Sequence, residues 1–191
     1  MRVIAGALRG RALQAPRGLS VRPTSDALRE TLFNICGPAV VGSVWVDCCA
    51  GSGAVGIEAL SRGAKRVFFI EPARAARTAL QTNLVRLGLS GARVLAQAAP
   101  GALAALVADS NWPARGCDFF FLDPPYAEPR LYEAVLERLG GEAALLAPAA
   151  WVIAEHARRD DPGAAHGRLR RFRRLQQGDS ALSFYQLAEQ K

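Results

Sequence analysis

The sequence predicts an α/β fold built on a doubly wound, mostly parallel sheet. Short, almost continuously apolar runs alternate with amphipathic segments of helical period. Such runs belong to strands covered by helices on both faces. The length points the same way: 191 residues, 50% hydrophobic and 21% charged, suit one α/β domain with a small appendage. That composition excludes a disordered chain. No apolar run approaches the roughly 20 residues that span a bilayer.

Each element has its own signal. Val3 to Leu8 and Ala12 to Gln14, broken by Arg9-Gly10-Arg11, read as a basic N-terminal hairpin within residues 1–22. Pro23-Thr24-Ser25-Asp26 offers hydroxyl and carboxylate caps for a helix with Leu28, Leu32 and Ile35 on one face, and Gly37-Pro38 stops it. Val44 to Asp47 reads as a strand, and a helix from about Gly53 to Arg62 ends at Gly63. Arg66 to Glu71 is a second strand. Pro72 opens a helix that carries Ala76, Leu80, Leu84 and Leu87 in register and ends at Gly88. Arg93 to Gln97, Asp118 to Leu122 and Trp151 to Glu155 are further strands. A short helix after Pro100 and one over roughly Arg130 to Leu139 lie between them. Leu169 to Leu175 and Ala181 to Leu187 flank Gln177-Gly178-Asp179, a turn signal, and predict a closing hairpin at a sheet edge.

Charge is segregated along the chain. The net charge is +7, yet residues 1–22 hold five arginines and no acid, and residues 158–174 hold seven arginines against Asp160 and Asp161. The stretch between is close to neutral. Two basic ends on a near-neutral body are the expected footprint of a polyanion binder. Arg2, Arg9, Arg11, Arg17 and Arg22 are candidate phosphate contacts, and so are Arg168, Arg170, Arg171, Arg173 and Arg174. Early arginines argue against a secretory leader, so a cytoplasmic location is expected. Cys36, Cys48, Cys49 and Cys117 lack metal-site spacing and read as reduced thiols. Cys48 and Cys49 fall in a strand-like run and are expected to point to opposite faces. No metal site is expected. His156 and His166 read as structural.

Two motifs carry chemistry. Gly51-Ser52-Gly53-Ala54-Val55-Gly56 is a G-x-G-x-x-G between a strand and a helix, and Glu71 ends the next strand 20 residues on. Such a loop lets backbone approach a ligand, and the acid can accept from two ribose hydroxyls. Both a dinucleotide and S-adenosylmethionine (SAM) carry that adenosine. Asp47, at the end of the first strand, would repel a pyrophosphate but suits the ammonium and sulfonium of SAM; it could also merely cap the loop. The second motif, Asp123-Pro124-Pro125-Tyr126, follows the apolar run Phe119 to Leu122. Ligands in this fold sit beyond the carboxyl ends of the strands, so the two loops are expected to border one crevice. Two prolines stiffen the loop. Asp123 and the Pro124 carbonyl then act as acceptors for an exocyclic amine, and Tyr126 as a stacking surface for an extruded base.

With these motifs in view, Asp47 to Ala64 resembles the SAM-binding stretch of class I methyltransferases, and Asp123 to Tyr126 resembles their amino-methylating branch. Arg2-Val3-Ile4-Ala5-Gly6, Arg9-Gly10-Arg11 and Arg22 to Asn34 are similar to the N-terminal signature of the RsmD family, bacterial enzymes that methylate a 16S rRNA guanine at N2. The resemblance implies a seven-stranded sheet, an RNA-binding hairpin and a methyltransferase domain over 23–191. It implies SAM as donor, held by Asp47, Ala50, Gly51, Ser52, Gly53, Glu71, Pro72, Gln97 and Ala98, with catalysis by Asp123, Pro124, Pro125 and Tyr126. The implied partner is 16S rRNA in the small ribosomal subunit or its assembly intermediate, met by a monomer and no membrane. The run Gln97-Ala98-Ala99-Pro100 departs from the polar residue that often ends the third strand, so the adenine contact stays open. Methylation of adenine N6 in DNA or RNA is the alternative reaction, because the second motif suits any exocyclic amine. A dinucleotide oxidoreductase and a non-catalytic RNA-binding scaffold are the remaining classes.

Overall fold

A computed structural model describes residues 1–16, 25–110, 112–125 and 128–188. The expected lead-in Pro23-Thr24 lies outside them, as do Arg17, Arg22 and Tyr126. The chain forms two compact units, residues 1–98 and 99–191.

In the first unit, β1 (Val44–Asp47), β2 (Arg66–Ile70) and β3 (Ala92–Leu95) run parallel in the order β3-β2-β1. α1 (Asp26–Cys36) begins at Ser25, whose Oγ accepts from the Leu28 N–H at 3.1 Å, as its hydroxyl predicts. α2 (Ala54–Ser61) and α3 (Arg74–Leu87) follow β1 and β2. Trp45, Phe68, Phe69 and Phe33 are fully buried, and Phe33 stacks on Trp45 at 5.3 Å. Each such side chain contributes roughly 1.5–3 kcal/mol of transfer free energy. β1 and β2 are covered on both faces, as expected. β3 is half-exposed, because it ends the strand order of this unit.

Residues 1–16 fold back on themselves, but only one bridge forms, Arg2 to Ala12. The arm closes as a hairpin, with Val3 N–H donating to the Arg11 carbonyl (2.9 Å), Gly10 N–H to the Val3 carbonyl (2.9 Å) and Leu13 N–H to the Met1 carbonyl (3.1 Å), while the amides between them bond to α2. Ile4 and Ala5 N–H donate to the Glu58 carboxylate at 2.7 and 3.0 Å. Ala7 N–H donates to the Ser61 carbonyl at 2.8 Å, and the Ser61 hydroxyl donates to the Ala5 carbonyl at 2.6 Å. A Cβ on Gly6 would meet that Ser61 carbonyl oxygen at 1.9 Å, so only glycine permits this approach. Further along, Gln14 exchanges hydrogen bonds with Asn83 of α3 at 2.8 and 3.0 Å.

The second unit contains α4 (Ala99–Leu106), β4 (Cys117–Leu122), α5 (Arg130–Gly141), β5 (Leu146–Ala157), β6 (Ala165–His166), β7 (Leu169–Gln177) and β8 (Ser180–Leu187). Its strand order is β4-β5-β8-β7-β6; β4 and β5 are parallel and the rest antiparallel. The tail hairpin is β7–β8, with β8 against β5. Among the described residues, eight strands therefore stand where seven were expected. The extra one is β6, two residues that pair back on Leu169 and Arg170, too short to carry an alternation. β5 is 12 residues long rather than five, because its pairing with β4 shifts register between Cys117 and Phe119.

All four cysteines are free. Cys48 and Cys49 lie in a turn after β1 rather than in a strand, which corrects the expectation of opposite faces. Burial pushes the Cys36 thiol up to about 12 and the Cys117 thiol higher still. His156 is buried between the Ala157 carbonyl (2.8 Å) and Ser183 Oγ (3.0 Å), and burial lowers its pKa. His166 Nδ1 lies 3.3 Å from Glu137 Oε1.

Candidate active site

In the first unit the glycine loop is closed by its own backbone and two acids. Ala50 N–H donates to the Ile70 carbonyl at 3.0 Å, and Gly53 N–H to the Ala50 carbonyl at 2.7 Å. Gly51 and Gly53 hold φ of 54° and 83°, a region that disfavours other residues. A Cβ on Gly56 would meet the Phe69 ring at 2.3 Å, so this glycine lets α2 pack onto β2. A Cβ on Gly51 would meet nothing within 4 Å, so that side of the loop is open.

Asp47 is 3% exposed, and its Oδ2 accepts from the Gly56 N–H at 3.2 Å. Burial pushes its pKa up to about 7, with Glu71 adding to the rise and the Gly56 and Cys49 amides opposing it. Glu71 accepts from Gly51 N–H and Ala73 N–H, both at 2.8 Å. Asn83 Nδ2 donates to the Ser52 carbonyl at 3.0 Å. Thus Asp47, Ala50, Gly51, Ser52, Gly53 and Glu71 come together through these contacts, with Pro72 directly after Glu71. Gln97 and Ala98 are exposed in the bend after β3, whose Leu95 carbonyl accepts from Glu71 N–H at 3.0 Å. An open backbone flank beside one acid at the end of β1 and another at the end of β2 fits an adenosine-bearing cation.

In the second unit, Asp123, Pro124 and Pro125 follow β4 directly; Asp123 is half-buried, Pro124 buried and Pro125 exposed. Glu128 N–H donates to the Pro125 carbonyl at 2.8 Å. Pro125 also borders a cleft of about 500 Å³ lined by Pro129, Tyr132, Glu133, Glu137, Asp160, Asp161 and His166. Tyr132 there donates to the Glu155 carbonyl at 2.6 Å. Nothing in the sequence pattern marked this acidic cleft.

The basic residues divide. Arg2, Arg9 and Arg11 are exposed on the arm, with Arg2 3.9 Å from Asp26. Arg170 and Arg173 are exposed, and Arg168 is half-buried. Arg171 and Arg174, expected as phosphate contacts, both pair with Asp161, at 2.5 and 3.2 Å. Glu58 escaped the sequence reading, and a second buried charge, Arg29, lies beside the arm. Glu58, fully buried, anchors the arm and binds Arg62 Nε at 2.8 Å. Arg29, also fully buried, bonds Asp26 at 2.6 Å and the Arg2 carbonyl at 2.8 Å. The i,i+4 pair Glu58–Arg62 was the one local signal available for the first.

Parallel strands, a glycine loop between β1 and α2, and acids at the ends of β1 and β2 define the fold of the class I methyltransferases. A solved structure from Escherichia coli, titled "Putative methyltransferase yhhF", superposes with a TM-score of 0.83 at 33% identity, covering 100% of this chain and 99% of that one. The family model "Conserved hypothetical protein 95" matches residues 1–186, and the chain belongs to that family, the RsmD family of the expected resemblance. A Bacillus subtilis protein named "Putative rRNA methyltransferase YlbH" is 37% identical over 186 residues, 97% of this chain and 98% of that protein. "Ribosomal RNA small subunit methyltransferase D" of Escherichia coli is 41% identical over 135 residues, 71% of this chain and 65% of that protein.

Proposed function

We propose that this chain transfers a methyl group from SAM to the exocyclic N2 of a guanine in 16S rRNA, acting as a cytoplasmic monomer on the small ribosomal subunit or its assembly intermediate. The likeness over 97% of the chain to a relative named as an rRNA methyltransferase carries the reading. The composition of the two loops supports it. When bound, SAM supplies a methyl carbon activated by positive sulfur. Asp47 would face its ammonium end, Gly51 and Gly53 would line its methionine portion, and Glu71 would accept from its ribose. Asp123 and the Pro124 carbonyl would accept both N–H groups of the target amine. That frees the nitrogen lone pair from the ring and stabilises positive charge as it develops. Tyr126 would hold the extruded base, and Asp123 can take up the proton the amine sheds. Arg2, Arg9, Arg11, Arg17, Arg22, Arg168, Arg170 and Arg173 would meet phosphates.

Nucleoside analysis of 16S rRNA from a strain lacking this gene tests the reaction. Loss of one N2-methylguanosine, restored by the gene, is expected; an unchanged level of that nucleoside contradicts the reading, and loss of N6-methyladenosine would favour the alternative.

A further inference from the structure

The tail strand does more than carry charge. Its register on β8 slips between Arg171 and Arg173: Arg171 opposes Tyr185, Arg173 opposes Phe184, and Phe172 is the extra residue. Such a bulge breaks the strict alternation of side chains. Arg170 opposes Gln186 and Arg173 opposes Phe184, two residues of β8 on the same face. Phe172 lies on that face as well, its ring 6.2 Å from Phe184 and 5.3 Å from Trp151. Arg171 and Arg174 point to the other face, where Asp161 holds both. One face therefore presents an aromatic ring between two arginines.

The ring is not buried by this arrangement. Phe172 is 43% exposed, whereas its neighbour Phe184 is fully buried. Trp151 and Phe184 back the ring from beneath and fix its plane, and Trp151 is itself braced edge-on by Phe119 at 5.9 Å. Arg173 is exposed, and its side chain makes no hydrogen bond or ion pair among the described residues. Arg170 is exposed and tethered only to the backbone carbonyls of Gly167 and Leu169. An exposed, rigid ring flanked by cations is the arrangement on which single-stranded nucleic acid stacks a base while its phosphates are held.

We propose that Phe172 is a stacking platform for an unpaired base of the RNA substrate, with Arg173 and Arg170 contacting the phosphates beside it. The inference rests on the rRNA reading and deepens it: this face takes single-stranded rather than duplex RNA, because a paired base offers no free ring surface. Charge complementarity selects RNA over a second copy of this basic chain as the occupant.

Binding of the full chain to a short single-stranded RNA of mixed sequence, and to the same sequence as a duplex, tests this across a salt series. Phe172→Ala should weaken single-strand binding by about tenfold or more, leave duplex binding within about twofold, and leave the salt slope unchanged, since no phosphate contact is lost. Phe172→Leu keeps apolar cover over Trp151 and should bind as weakly as the alanine variant; Phe172→Trp should bind like the parent. Arg173→Ala should lower the salt slope by about one unit. Parental single-strand affinity in the leucine variant overturns the proposal, as does a change of oligomeric state in place of a change in RNA affinity. If the arginine substitution weakens binding and the phenylalanine substitutions do not, stacking alone falls. A parent that binds neither RNA overturns this inference, while the rRNA reading stands or falls on the nucleoside analysis.

Discussion

The acids that shape the two units differ in their main partners. In residues 1–98, the buried acids Asp47, Glu58 and Glu71 accept mainly from backbone N–H groups of Gly56, Ile4, Ala5, Gly51 and Ala73. In residues 99–191, Asp161 accepts from Arg171 and Arg174, and Glu142 from Arg138. A carboxylate bound to backbone amides fixes the path of a loop; one bound to arginine side chains removes cations from the surface. The first unit thus uses acids to hold the arm and the glycine loop in place, and the second uses one to thin its basic face.

Glu58 carries the most stability among these acids. Glu58→Ala leaves the Ile4 and Ala5 amides and the Arg62 guanidinium without their acceptor. Removing one partner from a buried charged network costs roughly 3–5 kcal/mol. Thermal unfolding should report a loss of that order, and the arm amides should exchange faster with solvent. An arm still protected from exchange would mean that Glu58 does not hold it.

Next in size is the pH dependence at Asp47. With its pKa raised to about 7, Asp47 is mostly neutral at pH 6 and mostly ionised at pH 8. Only the ionised form attracts a cation, so SAM affinity should rise with pH across this window by up to about tenfold and then level. Asp47→Asn should bind SAM weakly at both values. The stability effect has the opposite sign: a folded pKa above the usual 3.8 means that stability declines as pH rises from about 4 to 7. Calorimetric titration with SAM at the two pH values checks the first claim; a flat affinity in the parent would remove Asp47 from the cation site.

The smallest effects sharpen the contrast within the tail. Arg171→Ala should leave the salt slope of RNA binding nearly unchanged, since Asp161 already neutralises that side chain, whereas loss of Arg9 and Arg11 together should lower it by roughly two units. Asp161→Asn should cost less than about 1 kcal/mol per exposed pair and steepen the slope as Arg171 and Arg174 come free. Equal slopes for all four proteins would erase the distinction between paired and free arginines.

Much of this was legible because its signals are local. Val44 to Asp47 and Phe119 to Leu122 are apolar runs that end at an acid, and the strands stop there. The glycine loop and its flanking helix followed from G-x-G-x-x-G, and Ser25 from its hydroxyl. What the sequence hid depends on partners far along the chain. Glu58 gave no sign of bonding residues 54 and 53 positions earlier. The bulge at Phe172 arises from pairing with β8, and it decides which arginines face outward. Charge arithmetic counted Arg171 and Arg174 as available; Asp161, ten and thirteen residues before them, holds both. β6 is stabilised by antiparallel pairing around Gly167 rather than by any pattern of its own.

Small ribosomal subunits from a strain lacking the gene, incubated with this protein and methyl-labelled SAM, report the reaction when the labelled nucleoside is identified by mass. The expected product is N2-methylguanosine, formed at least about 100-fold more slowly by Asp123→Ala while that variant still binds SAM. Label in another nucleoside, or a rate untouched by the substitution, would contradict that expectation.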